Sequence, residues 1–145
     1  MVDHVSPEDD RLAVVAASDD DGPVVMLNLN RYREFAEYPE DHPNAGAGLT
    51  GREAYLSYGA VAYGAIKAVG GEILWATDAS EVVIGCDHDS YDEVVAVWYP
   101  SRTAFLSIAE VPGYPESHVH RDAAVAQATL IATKGERDQV LRSPF

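Results

Sequence analysis

The most regular feature of the chain is a series of short apolar runs separated by polar turns. These runs lie at 24–30, 72–76, 93–99 and 129–133, and they are rich in valine, leucine and isoleucine with some aromatic residues. Runs of this length and composition favour β-strands. The first and third runs are almost continuously apolar, which is typical of strands covered on both faces. A further run at 81–85 is expected to extend the second strand or to form a hairpin with it.

Between the predicted strands lie segments in which apolar residues recur at helical spacing. Thr50 and Glu53 have the spacing of a capping box, and the apolar pattern that follows them ends at the glycine pair 70–71. Ser101 is placed to cap a short helix after the third strand. Prolines and a glycine interrupt that helix, and a further helix is predicted at about 116–126.

The predicted order is β-α-β-β-α-β after an N-terminal helix from about Ser6 to Ala17, in which Ser6 is placed as the cap. This order is the ferredoxin-like arrangement, an α+β fold with a four-stranded antiparallel sheet and helices on one face. We expect an N-terminal helix and turn at 1–22, a folded domain at 23–134 and a tail at 135–145. The bare face of so apolar a sheet needs a cover, so a homodimer is predicted.

One long segment without helical or strand pattern interrupts the domain. Residues 34–49 are rich in proline, glycine and acidic residues. Loops of this length are uncommon in compact domains and are often functional or disordered. We therefore interpret 34–49 as a candidate lid over a binding site.

Charge narrows the range of partners. The 145 residues include 10 basic and 24 acidic side chains, for a net charge of −14. A surface this acidic repels nucleic-acid phosphates and anionic lipids, so neither nucleic acid nor a membrane is an expected partner. No apolar run approaches the roughly 20 residues of a membrane span, and the first residues do not resemble a signal peptide. A cytoplasmic location is therefore expected.

Several short motifs, taken in order, resemble the DUF1330 family of the dimeric α/β-barrel superfamily. They are Val-Val-Met-Leu-Asn-Leu at 24–29, Gly-Gly at 70–71 with Leu74 and Trp75, Tyr-Asp-Glu-Val at 91–94, Val-Trp-Tyr-Pro-Ser-Arg at 97–102, Phe105, Tyr114, and His-Arg-Asp-Ala at 120–123. The resemblance covers about residues 22–134. It implies two ferredoxin-like protomers that pair their sheets into a barrel. It implies no settled reaction, because the superfamily includes cofactor-free monooxygenases, cyclases, isomerases and haem-binding proteins.

The residues suggest a small cofactor-independent enzyme of cyclase, isomerase or monooxygenase type. Its substrate would be an apolar, oxygenated small molecule in a pocket between sheet and helices. His120 is the candidate general acid and base, because imidazole titrates near neutral pH. Tyr99 and Tyr114 are candidates for hydrogen bonds to a carbonyl or enolate oxygen. The alternatives are a capping or surface histidine and aromatic residues of the core.

Four more residues are candidates for substrate binding. Asn28 lies in an apolar strand, where its amide must find hydrogen-bond partners in a neighbouring loop or in a ligand. Arg121 could hold a carboxylate or pair with a nearby acid. Trp75 and Tyr58 are candidates for the pocket wall, with core packing as the alternative for both.

The sequence does not favour a metal or a familiar cofactor. Cys86 is the single cysteine, which excludes an internal disulfide and a multi-cysteine metal site. His118 and His120 are two residues apart, so on a helix they diverge by roughly 200° and do not share a face. No nucleotide-binding fingerprint is present. Two other functions stay open: a non-catalytic dimeric protein that binds a small molecule, and a purely structural dimer whose pocket is packed shut.

Overall fold

The structure of the protein is a computed structural model that describes residues 6–137. Most of the tail predicted at 135–145 lies outside the described residues, so that prediction is not addressed by the structure. The principal elements are α1 (Asp9–Ala16), β1 (Val24–Tyr32), α2 (Gly51–Ala68), β2 (Glu72–Asp78), β3 (Glu93–Tyr99), α3 (Arg102–Ser107), α4 (Tyr114–Ala124) and β4 (Val125–Lys134).

The four strands form one antiparallel sheet in the order β2-β3-β1-β4. With the connecting helices, this is the ferredoxin-like α+β arrangement that the sequence predicts. Met26 of β1 lies opposite Val97 of β3 and Ala132 of β4. Side chains alternate between faces along each strand, so these three residues share the face that packs against the helices.

The hydrophobic core lies between this face and helix α2. Val24, Met26, Val97 and Tyr99 of the sheet pack with Ala65 and Ile66 of α2 and with Ile108 after α3. A second buried cluster of Ala54, Ala124 and Val125 lies where α2 begins and α4 passes into β4. Together they hold α2 and α4 against the sheet.

The capping box predicted at the start of α2 is present. The Thr50 hydroxyl accepts a hydrogen bond from the Glu53 N–H at 3.1 Å, and the Glu53 carboxylate accepts one from the Thr50 N–H at 3.2 Å. Two otherwise unpaired N–H groups at the helix end are thereby satisfied. The helix ends at Ala68, and Gly70 follows with a positive φ of 84°.

The connection from β3 to β4, the second crossover of the fold, contains an interrupted helix, as the sequence predicts. The Ser101 hydroxyl caps α3 by accepting a hydrogen bond from the Ala104 N–H at 3.0 Å. A single 3-10 turn follows at Ile108–Glu110. Gly113, with a φ of 87°, then reverses the chain into α4, which starts at Tyr114. The crossover therefore presents two short helices to the sheet instead of one long helix.

Three predicted boundaries are wrong. Helix α1 begins at Asp9 with Glu8 at the N-cap position, and no side chain caps it, so Ser6 does not have the predicted role. Residues 81–85 form no strand: the bond from the Ala79 N–H to the Asp92 carbonyl follows the last pair of β2 and β3, and the chain leaves the sheet after it. Strand β4 begins at Val125, directly after α4, and not at residue 129.

The other face of the sheet is left open by the helices. Register places Leu27, Ala96 and Trp75 on this face, and Trp75 is 49% exposed. The 79–92 segment crosses one end of it, where the Gln127 amide donates to the His88 carbonyl at 3.1 Å. Among residues 6–137, no helix is long and apolar enough to span a membrane.

Candidate functional site

A cavity of about 480 Å³ lies between helix α1 and the edge strand β4. Leu12 and Val15 of α1 form one wall, and Met26 and Phe105 line it from the sheet and from α3. Strand β4 contributes the consecutive residues 127–130 and also Ala132. The cavity therefore lies at an edge of the sheet and under the N-terminal helix.

Arg121 is the one predicted site residue that lines this cavity. It lies on α4, one turn before that helix ends at Ala124. Its guanidinium carbon is 6.0 Å from the centroid of the Tyr58 ring, at the outer limit of a cation–π contact. The other charged groups of the wall include Glu8 and Arg11, which form an ion pair with an Nε–Oε2 distance of 3.2 Å.

A cluster of phenol and imidazole groups lies behind Arg121, between α2 and α4. The hydroxyls of Tyr58 and Tyr114 are hydrogen bonded at 3.0 Å. The His118 ring meets both tyrosine rings edge-on, with centroid distances of 5.8 Å to Tyr58 and 4.9 Å to Tyr114. Tyr58 and Tyr114 were both predicted as site residues, and the structure brings them together beside a third group that the sequence did not indicate.

Burial controls the protonation of this cluster. It raises the pKa of Tyr58 far above the ordinary range of a phenol, and the neighbouring Tyr114 adds to that effect. Burial also lowers the pKa of His118, as does the positive charge of Arg121. The Nε2 atom of His118 is buried and has no hydrogen-bond partner among the described residues. Near neutral pH the phenol is therefore a hydrogen-bond donor, and the imidazole is a neutral acceptor.

Asn30, and not Asn28, is the deeply buried amide of β1. Asn30 is 2% exposed, and its amide donates to the Tyr55 hydroxyl at 3.2 Å. Asn28 donates to the carbonyls of Met26 and Val95 at 3.2 and 3.3 Å. It thus bonds to its own strand and to the neighbouring strand, and it does not line the cavity. The partners of Asn28 are therefore strand carbonyls, and not the neighbouring loop that was the structural alternative expected from the sequence.

His120 lies on a different side of α4, against the 34–49 loop. Its Nδ1 atom shares a hydrogen bond of 2.7 Å with the Tyr38 hydroxyl, and the His42 ring is 5.7 Å away. Burial and the nearby His42 lower the pKa of His120. His118 and His120 therefore contact different groups, as their spacing predicts. No residue of the 34–49 loop lines the cavity, so the structure places the candidate lid elsewhere.

The remaining two candidates are also outside the cavity wall. Tyr99 belongs to the core, 5% exposed, and its ring meets Phe105 edge-on at 5.3 Å. Burial raises its pKa well above the phenol range. Trp75 lies on the open face of the sheet. The structure therefore does not bring His120, Tyr99 and Asn28 together around one ligand-sized space.

The cavity wall was difficult to foresee from the sequence. Leu12, Val15 and Phe105 read as ordinary core residues, because their immediate neighbours in the sequence are also mostly apolar. The sequence pattern offers His118 only as a metal ligand beside His120, and the spacing of the two histidines does not favour that site. The described residues contain no group of three or more histidine, cysteine, aspartate or glutamate side chains placed to hold a metal ion.

The sheet order and the helix-covered face define the class of the protein, a ferredoxin-like α+β domain. Residues 45–135 match the model of the family described as a domain of unknown function, DUF1330, and the chain belongs to that family. The resemblance seen in the sequence motifs is confirmed.

Solved structures support the same fold. The chain is similar to the methylated RPA0582 protein, with a TM-score of 0.83 and 34% identity over 94% of this chain and 97% of that one. It is equally similar to the RPA0582 protein of unknown function from Rhodopseudomonas palustris, with a TM-score of 0.81 and 34% identity over 93% and 98% of the two chains. No functionally curated protein matches the sequence.

Proposed function

We propose that this protein binds a small apolar molecule that carries an oxygen-bearing polar group. The observation that supports this most directly is Arg121 in the wall of a largely apolar cavity of about 480 Å³. Cavities of several hundred Å³ with apolar walls and a few placed polar groups are the usual form of small-molecule sites. Met26 and Phe105 would contact the apolar body, and Arg121 would contact the oxygen.

A fluorescent anionic probe, anilinonaphthalene sulfonate, tests this proposal because it combines an apolar ring system with a charged oxygen group. Wild-type protein should bind it with saturable affinity. A charge-assisted hydrogen bond contributes about 1.5–3 kcal/mol, so Arg121→Gln should weaken binding at least about tenfold.

Arg137→Gln is the matched control, because Arg137 is an arginine outside the cavity that pairs with Glu72. It should leave the affinity unchanged, and circular dichroism should show both variants folded. Equal probe affinity in all three proteins would refute the assignment of Arg121.

We propose, as a second candidate function, acid–base turnover at the tyrosine–histidine cluster that lies behind Arg121. The observation that favours it is the orphan Nε2 atom of His118 beside the hydroxyl pair of Tyr58 and Tyr114. A neutral imidazole can accept a proton, and a phenol that stays protonated can donate to a developing oxyanion. The reaction would be an isomerisation or cyclisation of the bound molecule. Of the three groups predicted to be catalytic, only Tyr114 belongs to this arrangement.

This second candidate requires a ligand that the protein converts. Incubation of wild-type protein with a bound, oxygenated ligand should then produce an isomer of equal mass, separable by chromatography. His118→Asn should abolish the conversion and leave affinity nearly unchanged. If wild-type protein returns every bound ligand unaltered, the protein is a binding protein and not an enzyme.

We also propose that two copies pair through the open faces of their sheets. Leu27 and Trp75 supply apolar surface there, and Val83 and Ile84 of the adjoining loop are 92% and 96% exposed. Apolar area of this kind is rarely left exposed in a monomer. Light scattering should report about twice the chain mass of 15.7 kDa. A mass near that of one chain would refute the pairing.

A further inference from the structure

The cavity has two chemically different ends along strand β4. In the register between β1 and β4, Ala128 lies opposite Asn30, and Ala132 lies opposite Met26. Both Ala128 and Ala132 line the cavity. Four residue steps of an antiparallel strand correspond to about 14 Å, so the space is long in the direction of the strand.

The end near the start of β4 is polar. On the opposite face of β4, Gln127 and Thr129 both bond to Tyr91, with 3.0 Å between the Gln127 amide nitrogen and the Tyr91 hydroxyl. On the helix side, the polar group of this end is Arg121. Arg121 belongs to this end, because it is one turn from the residue where α4 passes into β4. A guanidinium has five N–H donors, so it can hold a ligand oxygen in addition to its contacts within the chain.

The opposite end is apolar. Met26 and Ala132 are adjacent there across the strands, and Phe105 of α3 faces the same space. The C-terminal part of α1 lies at this end, because the chain that follows it is fixed to α3. The Asp21 carboxylate accepts hydrogen bonds from the Thr103 N–H and hydroxyl at 2.8 and 2.9 Å. Val15, near the end of α1, is therefore expected on the Phe105 side.

Small side chains make room along the strand between these ends. Ala128, Leu130 and Ala132 lie opposite Asn30, Asn28 and Met26, so they share the helix-side face. Alanines at both ends of this series leave a trough beneath α1. Such a trough suits a narrow, extended molecule better than a compact one.

We infer that the ligand is an unbranched amphiphile that lies along β4, with a carboxylate or carbonyl oxygen at Arg121 and its hydrocarbon chain directed toward Phe105. This inference deepens the proposed function and rests on it. The length of the space selects chains of intermediate length, such as decanoate or dodecanoate.

The test is a calorimetric series of straight-chain carboxylates from hexanoate to hexadecanoate. Each added methylene should raise affinity about three- to fourfold, until the chain fills the trough at decanoate or dodecanoate. Longer chains should then gain nothing. Adamantane carboxylate, a compact acid, should bind more weakly than the straight-chain acid of similar carbon number. Decanol tests the role of the head group, because it has the same chain length as decanoate but carries no charge. Arg121→Gln should lower the affinity for decanoate about tenfold and the affinity for decanol by less.

Ala132→Phe tests the direction of the chain. This variant should lower the affinity for dodecanoate at least about tenfold and leave the affinity for hexanoate unchanged. The chain length that binds most tightly should therefore become shorter. Ala109→Phe is the control, because Ala109 is exposed and outside the cavity. If Ala132→Phe does not fold, Ala128→Leu serves as the second variant, and it should weaken all chains beyond hexanoate.

The possible failures are distinguishable. Equal affinity for all chain lengths, preference for the compact acid, or an unchanged optimum in Ala132→Phe would overturn the inference and leave the proposed binding function standing. If neither the acids nor the fluorescent sulfonate bind, both the inference and the proposed function are wrong.

Discussion

Gly51 provides the sharpest test of how helix α2 is held in place. It is the first residue of the helix, and its N–H donates to the Arg33 carbonyl at 3.1 Å. A Cβ atom added there would lie 2.3 Å from the Arg33 oxygen and 2.6 Å from the Ala124 oxygen. Both are backbone atoms, which cannot rotate away. Gly51→Ala must therefore displace the start of α2, at a cost of about 2–3 kcal/mol or more.

Gly59→Ala is the matched substitution in the same helix. No atom lies within 4 Å of a Cβ added at Gly59. Alanine is favoured over glycine in a helix interior by about 1 kcal/mol, so this variant should be more stable than wild type. The two identical substitutions should differ by about 3 kcal/mol, or about 10 °C in Tm for a domain of this size.

Urea unfolding followed by circular dichroism measures both changes. We expect Gly51→Ala to lower the midpoint and Gly59→Ala to raise it, with similar slopes. If Gly51→Ala is as stable as wild type, the close approach of α2 to the Arg33 and Ala124 backbone does not exist in solution, and the placement of Tyr55 and Tyr58 must be reconsidered.

Three further predictions concern the hydroxyl pair, the buried histidine and the helix cap. Tyr58→Phe and Tyr114→Phe should each cost about 1–2 kcal/mol, because each leaves one hydroxyl unpaired. In urea titrations the double variant should cost less than the sum, whereas additive costs would mean that the two hydroxyls do not interact. The pKa of His118 is lowered by burial, so its neutral form stabilises the fold above its unfolded pKa of about 6.5 and that stability is lost as pH falls. The unfolding free energy of wild type should therefore fall more than that of His118→Asn between pH 7 and 5, and parallel pH profiles would contradict this. Thr50→Ala removes the capping box and should cost about 1 kcal/mol in the same assay, whereas Ser57→Ala in the exposed interior of α2 should not destabilise.

The architecture was predictable because local signals agree with the tertiary arrangement. The Thr50 capping box, the Ser101 cap and the apolar runs at 24–30 and 93–99 all became the expected elements. The 81–85 run misled, because apolar composition alone does not supply a neighbouring strand to pair with. Its residues Val83 and Ile84 are nearly fully exposed. The prediction depended on the apolar composition of 81–85 alone, and in the structure this segment is an exposed surface loop.

The site was less predictable than the fold, because it depends on which side of each element faces which neighbour. The sequence indicates that His118 and His120 diverge, but not which of them meets the tyrosines. That depends on the rotation of α4, which places Ala123 and Ala124 in the buried core. Once those alanines face inward, Tyr114 and His118 face α2 and His120 faces the 34–49 loop. Helix rotation is a property of packing and not of residue spacing alone.

The interruption of the second crossover is what permits a site at this position. In one continuous helix, Phe105 and Arg121 would be separated by about 24 Å, at 1.5 Å per residue over sixteen residues. Gly113, with its positive φ of 87°, reverses the chain between them. As a result, α3 delivers an apolar ring and α4 delivers a guanidinium to the same cavity. The prolines and the glycine that read as a helix breaker in the sequence therefore also create the polarity of the cavity, with an apolar end from one short helix and a charged end from the next.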